Sequence, residues 1–349
     1  MFCFTPSLVS GDARRTLAQL VTSRFGPDSY SQQIQSLQRM FSGCPLPCAA
    51  FGQHTTAELH YQSEHWLPLE QLRPHFFRFY RQALTCSPVL PSTPFADAKS
   101  WAGIVSRFPP FLRNYANPSV LLQRLMLDEE LRLKFLFWSF MPERYYGGGS
   151  DRYPGQTAVI GAWVRHRAGR LRCLDAACGD GAASYGLARL LLERGWHHDR
   201  FWIEGWTLDP LEAWAAAHGA FPHNPQREAA FRGWIAPVFT VLAQRALRFR
   251  AVDLIAVADG MISGENDRFD LIVCNGLLGG PIIKRQKNIR RIVSYLCDLL
   301  APGGLLLVAD HFHGGWKKNI PGEILGDAFK ACGLMVAAAG EGLAGLKPD

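Results

Sequence analysis

The sequence predicts an α/β fold preceded by an α-helical domain, and three observations carry that prediction. From Gly161 onward, short apolar runs alternate with stretches of helical periodicity, as in a parallel sheet covered by helices. A glycine-rich turn directly follows the first of these apolar runs. Before residue 145, apolar residues instead recur at helical spacing. With 349 residues the chain is long enough for two domains, which we place at 1–144 and 145–349.

Four helices are predicted in the N-terminal domain, where they would cover a substrate or bind a partner. They run from Asp12 to Phe25, from Asp28 to about Gly43, from 69 to 84 and from 119 to 140. The segment 86–98 contains three prolines and is interpreted as a linker. The glycine-rich stretch 145–150 is interpreted as a hinge between the domains.

Seven strands and five helices are predicted in the C-terminal half. The strands are placed at 171–176, 201–208, 246–252, 269–274, 304–310, 334–339 and 343–347, and the helices at 182–195, 210–218, 226–243, 285–300 and 322–332. The last two strands are joined by Gly340-Glu341-Gly342, which indicates a hairpin. The expected sheet therefore has five parallel strands and a terminal antiparallel hairpin.

Composition indicates a globular chain with a basic surface. Hydrophobic residues make up 48% and charged residues 19%, and the net charge is +7. The positive charge favours anionic partners but is spread mainly over single arginines. The nine cysteines include Cys173, Cys274 and Cys297 in apolar runs, which fits a reducing compartment. No apolar run approaches the roughly 20 residues that span a bilayer. We therefore expect a cytoplasmic protein without membrane insertion.

The segment from Leu171 to Leu192 carries the main ligand-site signal. An apolar strand ends at Asp175, the turn Cys178-Gly179-Asp180-Gly181 follows, and a helix begins at once. Glycines allow close backbone approach, and the amides at a helix start favour a carboxylate or a phosphate. The third glycine of a dinucleotide-binding turn is replaced by Ser184. An acid before the turn suits a cationic ligand better than a pyrophosphate.

Three further polar positions follow strands in the same order. Asp209 follows the second strand, where an acid holds ribose hydroxyls in such folds or caps a helix whose first residue is Pro210. Asp253, before Leu254, is placed to accept from an adenine amino group or to serve in a turn. Asn275 follows the fourth strand. Ligands of open α/β sheets bind at this edge.

These residues together resemble class I S-adenosylmethionine-dependent methyltransferases over about residues 155–349. The segment AACGDGAASYGLA is similar to the first motif of CheR-type methyltransferases, which esterify glutamate side chains of chemotaxis receptors, and FDLIVCN is similar to their fourth-strand motif. The chain departs from that family at Ala182 and Ala183, where acids are usual, and at Asn275-Gly276 in place of Arg-Asn.

The resemblance implies a Rossmann-like class I methyltransferase sheet and S-adenosyl-L-methionine as the cofactor. The residues expected to contact it are Asp175, Ala177, Cys178, Gly179, Asp180, Gly181, Tyr185, Asp209, Pro210, Asp253, Leu254 and Asn275. The candidates for catalysis, taken from loops over the strand ends, are Asn275, His311, Arg152 and Tyr146. A packing role for His311 and a solvated loop position for Arg152 remain open.

Several functions are compatible with these patterns. The first is methylation of oxygen or nitrogen in a small molecule or a protein carboxylate. The second is RNA methylation, suggested by the pairs Arg290-Arg291 and Lys317-Lys318. The third is a module that binds the cofactor without turnover. A metal site at Cys44, Cys48, His54, His60 and His65 is not expected, since the spacing matches no standard ligand pattern.

Overall fold

The computed structural model describes residues 2–22, 30–44, 55–142, 152–242, 246–260, 268–280, 282–309 and 322–349. The chain forms two compact units, one of Met1–Arg14 with Glu143–Asp349 and one of Arg15–Pro142. The first residues of the chain thus belong to the same unit as its C-terminal half. None of the described helices is long and apolar enough to cross a membrane.

The unit of Arg15–Pro142 is helical. Its helices, with α1 beginning in the other unit, are α1 (Ser10–Leu17), α2 (Ser31–Ser42), α3 (Ala57–Trp66), α4 (Leu69–Ala83), α5 (Pro94–Asp97), α6 (Trp101–Val105), α7 (Pro118–Leu127) and α8 (Glu129–Phe140). Aromatic rings fill its core: Phe76 stacks on Phe95 with ring centroids 4.5 Å apart. The hydroxyl of the buried Tyr80 donates to Ser139 Oγ at 2.8 Å. Phe76, Phe79 and Tyr80 of α4 are therefore core residues, whereas Phe77 is half-buried.

The long helix predicted over 119–140 is wrong in one respect, because two helices occupy this range. They meet at Asp128, whose carboxylate accepts a hydrogen bond of 2.9 Å from the backbone N–H of Leu131 and so caps α8. The apolar spacing continues across Asp128, so periodicity alone did not reveal the break. The first predicted helix also differs, since α1 ends at Leu17 and not at Phe25.

The other unit contains a mixed sheet flanked by helices. Its strands are β1 (Cys3–Phe4), β2 (Leu171–Asp175), β3 (Phe201–Thr207), β4 (Leu247–Ala251), β5 (Phe269–Val273), β6 (Leu300–Ala309), β7 (Met335–Ala339) and β8 (Gly342–Leu346). Its helices are α9 (Pro154–Trp163), α10 (Ala182–Glu193), α11 (Pro210–His218), α12 (Pro225–Leu242), α13 (Leu254–Ala258), α14 (Gln286–Leu299) and α15 (Gly322–Ala331).

The strand order is β1-β4-β3-β2-β5-β6-β8-β7. Strands β2 to β6 pair in parallel, and β8 pairs antiparallel with both β6 and β7. This confirms the prediction of five parallel strands followed by an antiparallel hairpin. Strand β1, which pairs antiparallel with β4, was not predicted.

The sheet positions the candidate site through its topology. The chain runs from β2 outward through β3 to β4 and then returns to β5 on the other side of β2. The strand order therefore reverses between β2 and β5, and open α/β sheets bind ligands at the carboxyl ends of the strands beside such a reversal. The middle of the sheet is fully buried at Leu174, Ile272 and Leu306, so the candidate site lies at the end of a packed core.

Candidate ligand site at the carboxyl edge of the sheet

The turn after β2 requires glycine at two positions. Gly179 and Gly181 have φ of 51° and 84°, in the left-handed region that side chains rarely adopt. A Cβ at Gly181 would also lie 2.8 Å from the Cβ of Ala216 and 3.0 Å from the ring of Phe249. The turn is thus packed tightly against α11 and β4. The half-buried Ala177 and Gly179 keep part of its backbone accessible.

Asp175, at the end of β2, stabilises this turn through hydrogen bonds to its carboxylate. Its Oδ2 accepts a hydrogen bond of 2.8 Å from the hydroxyl of Ser184, and the backbone amide of Ala177 also donates to its carboxylate. Burial raises the pKa of Asp175 to about 6 despite these bonds. Ser184 stands where a dinucleotide-binding turn has its third glycine, and it is fully buried. A hydroxyl at this position is therefore used to hold the acid at the end of β2.

Asp180 is paired within the protein. Its Oδ1 accepts from the backbone N–H of Ala182 at 3.1 Å, at the start of α10. Its Oδ2 forms an ion pair with Arg227 of α12, and the Arg227 guanidinium lies 4.3 Å from the ring centroid of Phe221. Asp180 thus ties the turn to α12.

Cys178 and Tyr185 lie in the core beneath the turn. The hydroxyl of Tyr185 donates to the carbonyl oxygen of Ala216 at 3.0 Å, and its ring packs against Phe231 and Phe249. Burial raises the pKa of the Cys178 thiol well above its ordinary value. The cysteines Cys173, Cys274 and Cys297 are buried as expected.

Asp209, at the end of β3, has one satisfied and one unsatisfied oxygen. Its Oδ1 accepts from the backbone N–H of Leu211 at 2.8 Å and caps α11, whose first residue is Pro210. Its Oδ2 is buried and has no hydrogen-bond partner within the described part of the chain. Burial, assisted by the nearby charge of Glu212, raises the pKa of Asp209 to about 8. A buried acceptor without a donor is the feature expected of a side chain that binds a ligand.

Asp253 follows β4 at the same edge. It is exposed, and its Oδ1 accepts from the backbone N–H groups of Ile255 and Ala256 at 2.9 and 3.1 Å. The turn role considered for this residue is therefore present as a cap of α13. Leu254, the next residue, is 6% exposed and belongs to the hydrophobic core beneath this edge.

Asn275 follows β5 and is bonded on both sides of its amide. Its Oδ1 accepts from the backbone N–H of Ala309 at 2.7 Å, and its Nδ2 donates to Gln156 Oε1 at 2.7 Å. Gln156, in the first turn of α9, is 2% exposed, and its Nε2 is buried without a partner in the described residues. Gln156 was not predicted, because nothing in its local sequence marks it.

Basic side chains gather at the start of α14. The segment 284–291 contains Lys284, Arg285, Lys287, Arg290 and Arg291, all exposed. Arg291 pairs with Asp259 at 2.5 Å, whereas the other four form no ion pair with a carboxylate in the parts of the chain that are described. The cluster includes the pair Arg290-Arg291, so the charge is concentrated here although it is spread mainly over single arginines elsewhere. Because α14 follows β5, its start lies at the same edge as Asn275.

The remaining predicted residues lie outside the described parts of the chain or make few contacts that bear on the site. Tyr146 and His311 lie outside the described residues. Arg152 is half-buried just before α9. Cys48 and His54 are also outside the described residues, while His60 bonds Ser100 Oγ at 2.7 Å. The described residues contain no group of three or more side chains arranged to bind a metal.

Without β1, the strand order is that of the Rossmann-like class I methyltransferase sheet. No protein-family model matches the chain, and no curated protein is detectably similar in sequence.

Among solved structures, the sugar N-methyltransferase KedS8 from Streptoalloteichus sp. is 15% identical over 59% of this chain and 92% of its own, with a TM-score of 0.38. The amino pentose methyltransferase CalS10 from Micromonospora echinaspora, solved with SAM bound, is 17% identical over 59% of this chain and 94% of its own, with a TM-score of 0.36. A TehB-like SAM-dependent methyltransferase from Corynebacterium glutamicum is 16% identical over 56% of this chain and 88% of its own, with a TM-score of 0.34. No family membership follows from matches at this level.

Proposed function

We propose that this protein is an S-adenosyl-L-methionine-dependent methyltransferase. The observation that carries the proposal is the buried Oδ2 of Asp209, which has no partner among the described residues and lies one strand away from the glycine turn after β2. Ribose hydroxyls would supply the missing donors. Because β2 and β3 are neighbouring parallel strands, an adenosyl amino acid whose ribose bonds Asp209 would extend its amino-acid portion toward the glycine turn.

The donor set fits the cofactor along its length. The accessible backbone of Ala177 and Gly179 would receive the amino-acid portion, and the buried Asp175 contributes negative charge beside a cationic ligand. Asp253 and Leu254 would receive the adenine, one strand beyond Asp209. Cys178, Asp180 and Tyr185 would act indirectly, by holding the turn in place.

The cofactor supplies a methyl group on a sulfonium, which a nucleophile removes by in-line attack. The protein's task is to align that nucleophile and exclude water. Asn275 lies after β5, next to the turn after β2, and is held by Ala309 and Gln156. Arg152, Tyr146 and His311 are proposed as further groups that act on the substrate. We propose oxygen or nitrogen of a small molecule or of a protein carboxylate, as in CheR-type enzymes, as the acceptor.

Titration calorimetry with S-adenosylhomocysteine, with NAD⁺ as a comparison ligand, tests the proposal. We expect binding of S-adenosylhomocysteine, a loss of at least about tenfold in affinity in Asp209→Asn, which is about 1.4 kcal/mol, and no change in Asp327→Asn. Asp327 is exposed on α15 and provides the matched control. Binding of NAD⁺ alone, or of neither ligand, contradicts the proposal. Methyl transfer from labelled cofactor to an acceptor panel then separates an enzyme from a module without turnover.

A polyanionic substrate such as RNA is the second candidate, and the basic segment 284–291 favours it. Cations at a helix N-terminus are disfavoured by the helix dipole, so their accumulation at the start of α14 calls for another reason. An anion at this edge would supply one, because it would meet both the cations and the helix dipole. RNA phosphates are anions of this kind, and they would bind beside Asn275.

Binding of a structured RNA over a range of salt concentrations tests this candidate. If four cations contact phosphates, the slope of log affinity against log salt is steep, and each lost contact reduces it by about 0.9 for a duplex. The variant Arg285→Gln with Lys287→Gln is expected to reduce the slope by nearly two such steps. A matched double change of exposed cations, Arg81→Gln with Lys99→Gln in the helical unit, is expected to leave the slope unchanged. Equal slopes for both double variants exclude an RNA site on α14.

A further inference from the structure

The orientation of the Gln156 side-chain amide is determined by its hydrogen bonds. The backbone N–H of Ala309 is a donor, so the Asn275 atom that it meets at 2.7 Å is Oδ1. Asn275 therefore presents Nδ2 to Gln156, and the Gln156 atom 2.7 Å away is Oε1. Turning the Gln156 amide over would bring two NH₂ groups together. Its Nε2 is consequently the group that remains without a partner among the described residues.

The position of this donor is fixed from the other side as well. The Glu341 carboxylate, in the turn between β7 and β8, accepts from the backbone N–H groups of Gly155 and Gln156 at 2.8 and 3.0 Å. Gly340 and Gly155 approach so closely that a Cβ on Gly155 would lie 2.6 Å from the Gly340 Cα. The hairpin and the residues after β5 thus hold Gln156 between them, and its spare N–H₂ group is preorganised.

A buried donor without an acceptor is unfavourable unless a ligand supplies one. The strand order indicates which ligand. Asp209 and the glycine turn follow β3 and β2, whereas Asn275 and Ala309 lie at the ends of β5 and β6, on the other side of the reversal. A cofactor extended over β3 and β2 leaves the ends of β5 and β6 to the second substrate.

We propose that Gln156 Nε2 is a substrate-binding donor and that it receives an oxygen atom of the methyl acceptor, an inference that rests on the proposed methyltransferase function. Oxygen fits because it has at least two lone pairs, so one accepts from Gln156 while another attacks the methyl group. A neutral amine nitrogen has a single lone pair, which the donor would block. The O–CH₃ bond forms as the S–CH₃ bond breaks and S-adenosylhomocysteine leaves with the bonding electron pair. The acceptor class is therefore a carboxylate, which has no proton to lose, or a hydroxyl compound, whose proton passes to water.

The experiment observes the donor itself. Protein labelled with ¹⁵N at glutamine side chains is saturated with S-adenosylhomocysteine and titrated with sodium acetate, with methylammonium chloride at equal ionic strength as the comparison. The Gln156 side-chain resonance is assigned by its loss in Gln156→Met. We expect a saturable downfield shift of this resonance with acetate and none with methylammonium. The exposed Gln123→Met variant, in the helical unit, is expected to retain the Gln156 response.

A second variant tests the polarity without changing Gln156. In Asn275→Asp one carboxylate oxygen still accepts from the backbone N–H of Ala309. The other oxygen faces Gln156, whose amide rotates by 180° so that Nε2 donates to it. Nε2 is then no longer available to a ligand. The resonance is then expected to persist and to ignore acetate. An acetate response that is absent in the parent, or equal in the parent and Asn275→Asp, overturns the inference. Binding of S-adenosylhomocysteine to the parent is measured in the same sample before acetate is added. If it does not bind, the proposed function is overturned instead.

Discussion

The hydroxyl of Ser184 donates a hydrogen bond of 2.8 Å to Oδ2 of Asp175, nine residues earlier in the chain. The bond crosses the glycine turn and joins the end of β2 to the first turn of α10. Both side chains are buried, so the bond is shielded from water. The turn therefore depends on a polar pair that a dinucleotide-binding turn with glycine at this position would lack.

The variant Ser184→Ala is expected to destabilise the protein by about 1–3 kcal/mol, because it leaves a buried carboxylate oxygen unpaired. The lost bond lowers the pKa of Asp175 in the parent, so that pKa should rise above about 6. Urea unfolding measures the loss of stability, and an NMR pH titration of the Asp175 carboxyl group measures its pKa. Ser42→Ala, an exposed serine that bonds Gln38 O, is the control and should change stability much less. Parent-like stability in Ser184→Ala would mean that the turn does not rely on this bond.

The variant Gly181→Ala is expected to lose about 1–3 kcal/mol of stability, since the new methyl group meets both strained backbone and a close neighbour. The left-handed φ of 84° and the 2.8 Å approach to the Ala216 Cβ are the causes. Gly233→Ala, in α12, is the matched control, because a Cβ there meets nothing within 4 Å. It should stabilise the helix by about 0.5–1 kcal/mol. Thermal unfolding of both variants checks the opposite signs.

Asp209 is expected to make the protein less stable as the pH rises. Its pKa is about 8 in the folded protein against 3.8 ordinarily, so the folded state holds the extra proton in between. Stability from this group is therefore present below about pH 4 and lost as the pH rises through about 8, with a slope of up to about 1.4 kcal/mol per pH unit. The Glu212 charge facing Asp209 adds to the shift.

The window from pH 6.5 to 8 isolates this effect. Asp175 also makes the unfolding free energy fall with rising pH, but only up to about pH 6. His218 and His223 have lowered pKa values, so they make the unfolding free energy rise with pH, and they do so below about pH 6.5. Unfolding free energies of Asp209→Asn are expected to be nearly flat in this window, and higher than those of the parent at pH 8. A parent-like slope in Asp209→Asn would assign the pH dependence to another group.

The variant Asp128→Ala is expected to cost about 0.5–2 kcal/mol by removing the cap of α8. The loss should appear in the helical unit, because Asp128 and its partner Leu131 both belong to it. Circular dichroism during denaturation measures it. Asp327→Ala, at an exposed position of α15, is the control and should remain close to the parent. An unchanged midpoint would indicate that α7 and α8 are held apart by packing alone.

The local features of the sheet could be predicted from sequence because each has a short-range cause. A buried parallel strand is a continuous apolar run, and a turn with left-handed φ needs glycine, as at Gly179 and Gly181. Asp209 could be placed for the same reason, since an acid before a proline at a helix start is a local cap. Its unpaired second oxygen depends on burial, which the local sequence does not give.

Other features arise only when distant segments meet. Strand β1 consists of Cys3–Phe4 and exists because Phe4 pairs with Phe249 of β4. Two residues have no periodicity that could indicate a strand. The break between α7 and α8 at Asp128 is not predictable from periodicity, because the apolar spacing runs through it.

The amino-acid sequence by itself determined the class of fold, the position of the glycine turn and the acids that follow the strands, since each follows from neighbours along the chain. The tertiary structure alone decided which of these groups are already bonded and which are left over. Gln156 and Asn275 are 119 residues apart, and only the packing of α9 beside the ends of the strands brings their amides to 2.7 Å. Packing therefore decides which polar groups are bonded within the protein and which stay available to a ligand.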